Sequence, residues 1–340
     1  MSATIADIAK ATGYSTATVS YALRGNPQVK PETAAKVREA AARLHYQGNA
    51  SARSLRLGRS NVIAVAVHDL ALPFSAELAH AISVALAPRG YQVFAQQTLF
   101  TGSNEETVLR ELDHQFCDGT IFCSGELKPE QMKKITGSKP LVILDPSQPT
   151  DLYDSVYTPG HDGVYAAVSH LLSTGRRRIV AMGVAYRPYE RIHDLTDVSS
   201  TRLTGCMDAC RDAGVAFGPD NTAVPAQWTV EGAYDATMRL LDEGREFDAV
   251  YCLSDTVAIG VMHALHDRGI AIPDDVAVAG FDGIEAGRSA FPPLTTAAVD
   301  FDRLAATLAD LLLRRIETPD APIETRTANF TLEVRSSTRQ

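Results

Sequence analysis

Two aspartates, Asp145 and Asp282, each follow a short apolar run, Leu141 to Leu144 and Val276 to Phe281, at what would be the carboxyl end of a parallel strand. In α/β sheets this is where ligand-facing residues gather. Arg202 stands at the start of a helical stretch in Ser200-Thr201-Arg202-Leu203-Thr204-Gly205, and Ser254 with Asp255 precedes another, Thr256 to Arg268. A carboxylate accepts two hydroxyl hydrogen bonds and a guanidinium donates several, which is equipment for a polyhydroxyl ligand. Trp228, the only tryptophan, offers a flat apolar face to the C–H side of a sugar ring. Each residue also has an ordinary structural role open to it: a strand-end Asp caps the next helix, an Arg near a helix start is solvated, a lone Trp packs in the core.

Other chemistry is poorly supported. His263 and His266, and Cys206 and Cys210, each stand one helical turn apart without a third and fourth ligand, so neither a metal nor a cofactor is expected. Five cysteines without a CxxC pair read as reduced thiols. There is no GxxxxGK[ST] phosphate loop, no GxGxxG after a strand, no GxSxG elbow and no HExxH.

The elements that must position the candidate residues alternate from Asn61 onward. Val62 to Val67, Tyr91 to Ala95, Thr120 to Cys123 and Leu141 to Leu144 read as buried parallel strands, separated by helices such as Ala76 to Leu86 and Glu105 to Phe116. The cycle repeats with strands Ile179 to Met182, Ala249 to Cys252 and Val276 to Ala279. Helices near Gly163 to Leu172, Arg202 to Ala213, Val230 to Leu241 and Val257 to Arg268 lie between them. This is an α/β pattern, and over some 270 residues two lobes with a ligand crevice between them are expected.

The first sixty residues differ in charge and pattern. They hold nine Lys and Arg against three acids, a net +6, whereas the whole chain carries −9 and the remaining 280 residues −15. A basic head on an acidic body points to a polyanion partner. Thr4 caps a helix with Ile5, Ile8 and Ala9 on its apolar face and Asp7 at the capping-box position, and Gly13 ends it. Ser15 caps a second helix, Thr16 to about Leu23, with Val19 and Leu23 inward and Thr16, Ala17, Ser20 and Tyr21 outward. Pro31 opens a third that buries Ala35, Val37, Ala41 and Leu44. Three short helices with a tight turn between the first two form a helix-turn-helix, whose second helix enters the major groove; a protein-docking module has the same periodicity.

The run from Thr4 to Val67, TIADIAKATGYSTATVSYALRGNPQVKPETAAKVREAAARLHYQGNASARSLRLGRSNVIAVAV, resembles the lactose-repressor (LacI/GalR) family of bacterial transcription regulators. The resemblance implies DNA contacts from Thr4, Ser15, Thr16, Ala17, Thr18, Ser20, Tyr21 and Arg24. It also includes a hinge motif, Asn49 to Arg56. A helix that short is marginal in isolation. In the family two hinge helices pair over the minor groove, with a leucine wedged into a base step, which implies roles for Asn49, Ala52, Arg53, Leu55 and Arg56. A flexible linker is the alternative. The core then resembles the periplasmic sugar-binding-protein fold, with Phe301 to about Arg315 returning to the first lobe and a last strand near Phe330 to Val334 in the second. The family's effector-contact positions fall on Asp145, Arg202, Trp228 and Asp282. Ser254 stands where the family has Asn before its Asp, and Phe74 matches the aromatic of the N-P-F segment.

The expected organisation is therefore a helix-turn-helix domain over 1–48, a hinge helix and linker over 49–60, and a two-lobed core of parallel sheets over 61–340. Lobe 1 is placed at about 61–158 with 290–320, and lobe 2 at about 159–289 with 321–340. Ser254, Pro146 after Asp145, and Val299 in place of a glutamine depart from the family and make the pocket less polar. Ala185 to Ser199, with Arg187, Tyr189 and Arg191, is long for the family and either reaches over the cleft or forms a surface loop.

The expected function is a ligand-regulated repressor of near-palindromic double-stranded operator DNA, homodimeric, with a small-molecule effector of the sugar class. It is expected to be cytoplasmic because the sequence shows neither an export signal nor a membrane span. The alternatives are a DNA-binding head on a doubly wound enzyme, a regulator of the same fold answering to a non-sugar ligand such as a purine, and an activator on the same scaffold.

Overall fold

The computed structural model describes residues 3–46, 59–114 and 117–339, and the chain divides into two compact units, residues 1–60 and 61–340. The first unit holds the helices Ile5–Thr12, Thr16–Leu23 and Pro31–Arg43. Ile8, Val19, Ala22, Val37 and Ala41 close its small core. The third helix turns Ala34 inward and leaves Ala35, expected inside, exposed. Ala34, Val37 and Ala41 keep a spacing of three and four, and Ala35 falls off that stripe.

The second unit is built on two six-stranded sheets. The first takes β1 (Val62–Val67), β2 (Gln92–Gln97), β3 (Gly119–Cys123), β4 (Leu141–Leu144), β5 (Asp154–Tyr157) and β11 (Thr325–Thr327) in the order β11-β5-β4-β3-β1-β2, with every pair parallel. The second takes β6 (Ile179–Met182), β7 (Thr222–Ala223), β8 (Ala249–Cys252), β9 (Ala277–Asp282), β10 (Thr295–Val299) and β12 (Phe330–Glu333) in the order β12-β10-β9-β8-β6-β7. Only the β10–β12 pair is antiparallel. The strands β1 and β4 are continuous buried runs of Val, Ile, Ala and Leu, as expected where helices cover both faces of a parallel sheet. Gly205 and Gly260 let those helices close up. A Cβ at Gly205 would lie 2.4 Å from the His161 carbonyl oxygen, and one at Gly260 2.3 Å from that of Val230.

Sheet membership departs from the expected lobe limits at two strands. β10 falls within 290–320, assigned to the first lobe, yet pairs with β9 in the second sheet. β11 falls within 321–340, assigned to the second lobe, yet pairs with β5 in the first. β11 is the exposed tripeptide Thr-Arg-Thr, with no apolar pattern to mark it. Several helices also begin about one turn before their apolar periodicity, at Pro73, Gly102, Gly160 and Val198. Their first turns are polar or opened by proline, so periodicity reveals them late. The chain therefore passes between the sheets three times, after β5, after β10 and between β11 and β12.

Candidate functional sites

In the head, Thr4 closes a capping box: its Oγ1 donates to Asp7 Oδ2 at 2.7 Å and accepts from the Asp7 amide at 3.3 Å. Its hydroxyl is thus committed to the helix start. Ser15 accepts from the Thr18 amide at 3.2 Å, and the two hydroxyls lie 2.9 Å apart. Thr16, Ala17 and Tyr21 are exposed along the second helix, and Ser20 is half-buried. Arg24 donates from Nε to the Ser20 carbonyl at 2.8 Å and lies 4.8 Å from the centre of the Tyr21 ring. This contact lays a flat cation beside the exposed face. Asn49, Ala52, Arg53, Leu55 and Arg56 lie outside the described residues.

In the core, one cleft of 1050 Å3 is lined by all six residues singled out from the sequence: Phe74, Asp145, Arg202, Trp228, Ser254 and Asp282. The β-strands explain the convergence. His68 and Asp69 follow β1, Thr101 follows β2, Ser124 follows β3, Asp145 follows β4, Val184 follows β6, Ser254 follows β8 and Asp282 ends β9. All are at carboxyl ends of parallel strands, the position at which such sheets hold ligands.

At the floor, Arg202 and Asp282 are both 4% exposed, with Nη2 and Oδ1 3.7 Å apart. Arg202 lies one turn inside the helix Val198–Asp212 rather than at its start. Its Nη1 donates to the Leu253 carbonyl, and its guanidinium lies 3.8 Å from the centre of the Phe281 ring. Its Nε has no partner among the described residues. Burial pushes the Asp282 carboxyl well above the usual carboxylate range, Arg202 pulls the other way, and Asp255 pushes up again. Asp282 also carries a φ of 116°, rare for a non-glycine residue, and such outliers cluster at binding sites.

Asp145 accepts from the Thr158 amide at 2.7 Å and from its hydroxyl at 2.9 Å, one bond per oxygen. Burial raises its pKa, and the two Thr158 bonds and Arg202 oppose that. Ser254 caps the helix Asp255–Asp267, with Oγ accepting from the Val257 amide at 3.3 Å. Its neighbour Asp255 does not line the cleft. Its Oδ2 accepts from the amides of Gly283 and Ile284 at 2.8 and 3.0 Å, pinning the turn that follows Asp282. Phe74 packs against Phe301, ring centres 5.4 Å apart. Of the long loop, Arg187 reaches the cleft and donates to Ser200 Oγ at 2.6 Å. Tyr189 folds back, its hydroxyl 3.3 Å from Asp208 and its ring under Arg211.

Residues 4–49 match the bacterial regulatory proteins of the lacI family, and residues 168–338 match a periplasmic binding protein-like domain. The HTH-type transcriptional repressor PurR of Glaesserella parasuis serovar 5 (strain SH0165) is 30% identical over 345 residues, spanning 99% of this chain and 98% of that protein. This chain belongs to the lacI family of bacterial regulatory proteins. Among solved structures, the lac repressor dimer bound to operator and the anti-inducer ONPF superposes with a TM-score of 0.84 at 26% identity, covering 99% of each chain. The complex of the transcriptional regulator CelR with cellobiose gives 0.71 at 27% identity, covering 98% of this chain and 99% of that one. The fold is thus that of a DNA-binding transcriptional regulator with a two-lobed effector core.

For this lacI-family regulator, sequence reasoning passed over His68, Asp69, Phe100 and Gln227 as cleft residues. The rule that found Asp145 and Asp282 finds His68 too, since it follows β1 as they follow or end β4 and β9. Its ring is stacked on Phe100, centres 4.7 Å apart and planes 17° off parallel, and burial lowers its pKa to about 4. No helix among the described residues is long and apolar enough to cross a membrane.

Proposed function

We propose that this chain is an effector-responsive repressor that binds a near-palindromic operator as a homodimer, in the cytoplasm, and that its cleft takes a small sugar. The observation that carries the effector class is the cleft floor. The buried Arg202 and Asp282 stand beside Asp145, whose carboxylate gives one bond per oxygen to Thr158 and keeps lone pairs for ligand hydroxyls. Trp228 adds an apolar face for the C–H side of a ring. The solved complex of CelR with cellobiose, a relative by fold and by 27% identity, supports the same class.

The three chain crossings between the sheets are the hinge on which ligand biases lobe closure. Movement of the first lobes in a dimer then changes how the heads and the segment 49–60 engage DNA. Coupling of this kind is typically about 1 to 3 kcal/mol per site. The head supplies the basic charge and the exposed face of Thr16, Ala17 and Tyr21, and one head reads only a half-site, which calls for two.

A second reading, a purine base, is favoured by the flat faces of Trp228 and Phe74 in the same cleft. Titration calorimetry of the full chain against a sugar panel and against adenine, guanine and hypoxanthine decides between them. The expected result is saturable binding of a sugar, with a change in operator affinity and no turnover. Binding of a base alone establishes the second reading, and conversion of the bound sugar establishes an enzyme.

A further inference from the structure

Resting on the sugar reading, we infer that the cleft has an outer subsite at Leu99 and Phe100, and that the effector is a disaccharide or longer glycoside whose second ring stacks there. The floor and the rim of the cleft differ in kind. Arg202 and Asp282 are 4% exposed, while Leu99 and Phe100, which line the same cleft, are each 48% exposed. Two consecutive large apolar side chains open to solvent at the mouth of a cleft are stable only if the backbone holds them there.

It does so at a conformational cost. Leu99 and Phe100 have φ of 54° and 58°, the left-handed region that bulky residues avoid. The segment is tied to the end of β1 by Thr98 N to Val67 O at 2.9 Å and Leu99 N to His68 O at 2.7 Å. Strain of this sort persists where surrounding structure imposes it and clusters at ligand clamps. It presents the Phe100 ring stacked on His68, whose imidazole is neutral at physiological pH and adds a second flat layer instead of a charge.

The volume agrees. At 1050 Å3 the cleft is just above the roughly 300–1,000 Å3 usual for small-molecule sites. In the first sheet β4, which leads to Asp145, and β2, which leads to Phe100, stand three strands apart, roughly 14 Å at about 4.8 Å per strand, so one hexose on the Arg202, Asp282 and Asp145 floor does not also cover Phe100. A pyranose stacks its C–H face on an aromatic ring, and the Thr101 hydroxyl beside Phe100, which accepts from the Asn104 amide at 3.3 Å, keeps its proton to donate to the ring edge.

The test is calorimetry of the full chain and of Phe100→Ala and Phe100→Tyr with glucose, galactose, cellobiose, maltose, lactose and phenyl β-glucoside, with adenine and guanine as the other arm. The expected result is a disaccharide that binds at least about tenfold tighter than its component monosaccharide, an advantage that collapses in Phe100→Ala and returns in Phe100→Tyr. A monosaccharide bound as tightly as any disaccharide, with the ratio untouched by Phe100→Ala, overturns the outer subsite and leaves the sugar reading standing. Phenyl glucoside outcompeting every disaccharide overturns the second sugar ring in favour of an aromatic aglycone. Purine binding with no sugar binding at millimolar concentration overturns both.

Discussion

Arg202 and Asp282 face each other at 3.7 Å with their side chains 5% and 6% exposed, and Phe281, the residue before the aspartate, lies under the guanidinium. The pair is too long for a direct hydrogen bond. It is therefore a long, buried pair with donors and acceptors left over, and not a closed structural ion pair.

That spacing sets the first prediction. Arg202→Ala removes the guanidinium beside Asp282 and should weaken effector binding by roughly 1 to 3 kcal/mol. Asp282→Asn keeps volume and suits the positive φ, since Asn tolerates it better than most residues. It should cost less stability but comparable affinity. Calorimetry and thermal melts check both, and ligand binding at wild-type strength in the two variants would place the effector elsewhere.

The second concerns pH. His68 is held neutral by burial, with its pKa lowered from about 6.5 to about 4. The unfolded chain therefore binds the proton first, and stability is full above about pH 6.5 and falls as pH drops toward 4. The span corresponds to at most about 3 kcal/mol. His68→Gln should flatten this limb of the stability profile, measured by denaturant melts between pH 4 and 8; an unchanged acid limb assigns the loss to other groups.

How much of this was legible in sequence follows from where signals are local. Strand-end position and residue type placed Asp145 and Asp282, the start of a helix and the family position placed Ser254, and charge with capping residues placed the head. Asp255 reads the same as Ser254 in sequence. Which of two adjacent side chains turns to the cleft depends on the Gly283 and Ile284 amides, 28 and 29 residues on. Phe100 was illegible because it lies in a short loop whose φ values are fixed by hydrogen bonds to β1. β11 was illegible because three exposed residues carry no period.

Asp255 gives the third prediction, with the opposite slope. Burial raises its pKa from 3.8 to about 7, so the folded state binds the proton more tightly and stability declines as pH rises from about 4 to 7. Asp255→Asn keeps an acceptor for the two amides and removes the charge, so it should soften that decline. Asp255→Ala leaves both amides unpaired and should destabilise by roughly 1 to 3 kcal/mol per group. Thermal melts at pH 5 and 8 separate them: an Asn variant that loses stability with pH as the wild type does would rule out Asp255 as the source.

The fourth concerns the head. Arg24 is oriented by Ser20 and Tyr21 beside the exposed face of the second helix. If it contacts phosphate, Arg24→Ala should weaken operator and random DNA alike and flatten the salt dependence of binding by roughly one unit. Tyr21→Ala should instead narrow the gap between operator and random DNA if the exposed face of the second helix, on which Tyr21 lies, reads the bases as proposed. Fluorescence anisotropy at several salt concentrations distinguishes the two, and a Tyr21→Ala protein with full discrimination would remove Tyr21 from base reading.

The last uses the chain's single tryptophan, which makes emission an unmixed signal. Trp228 lines the cleft just ahead of Thr229, the cap of the helix Val230–Asp242, and is half-buried. A ring stacked on it excludes water from the indole, so a cognate ligand should shift or quench its emission saturably, with the same midpoint as calorimetry. Trp228 also packs against apolar residues of two core clusters, one that includes strands of both sheets and one confined to the second sheet and its helices. Trp228→Ala is therefore expected to lower thermal stability as well as weaken binding by a few kcal/mol. Trp228→Phe keeps most of the packing and a flat face, so it separates the two effects. Restored stability with restored affinity fits stacking, whereas ligand binding that neither alters Trp228 emission nor responds to either substitution makes the residue part of the core alone.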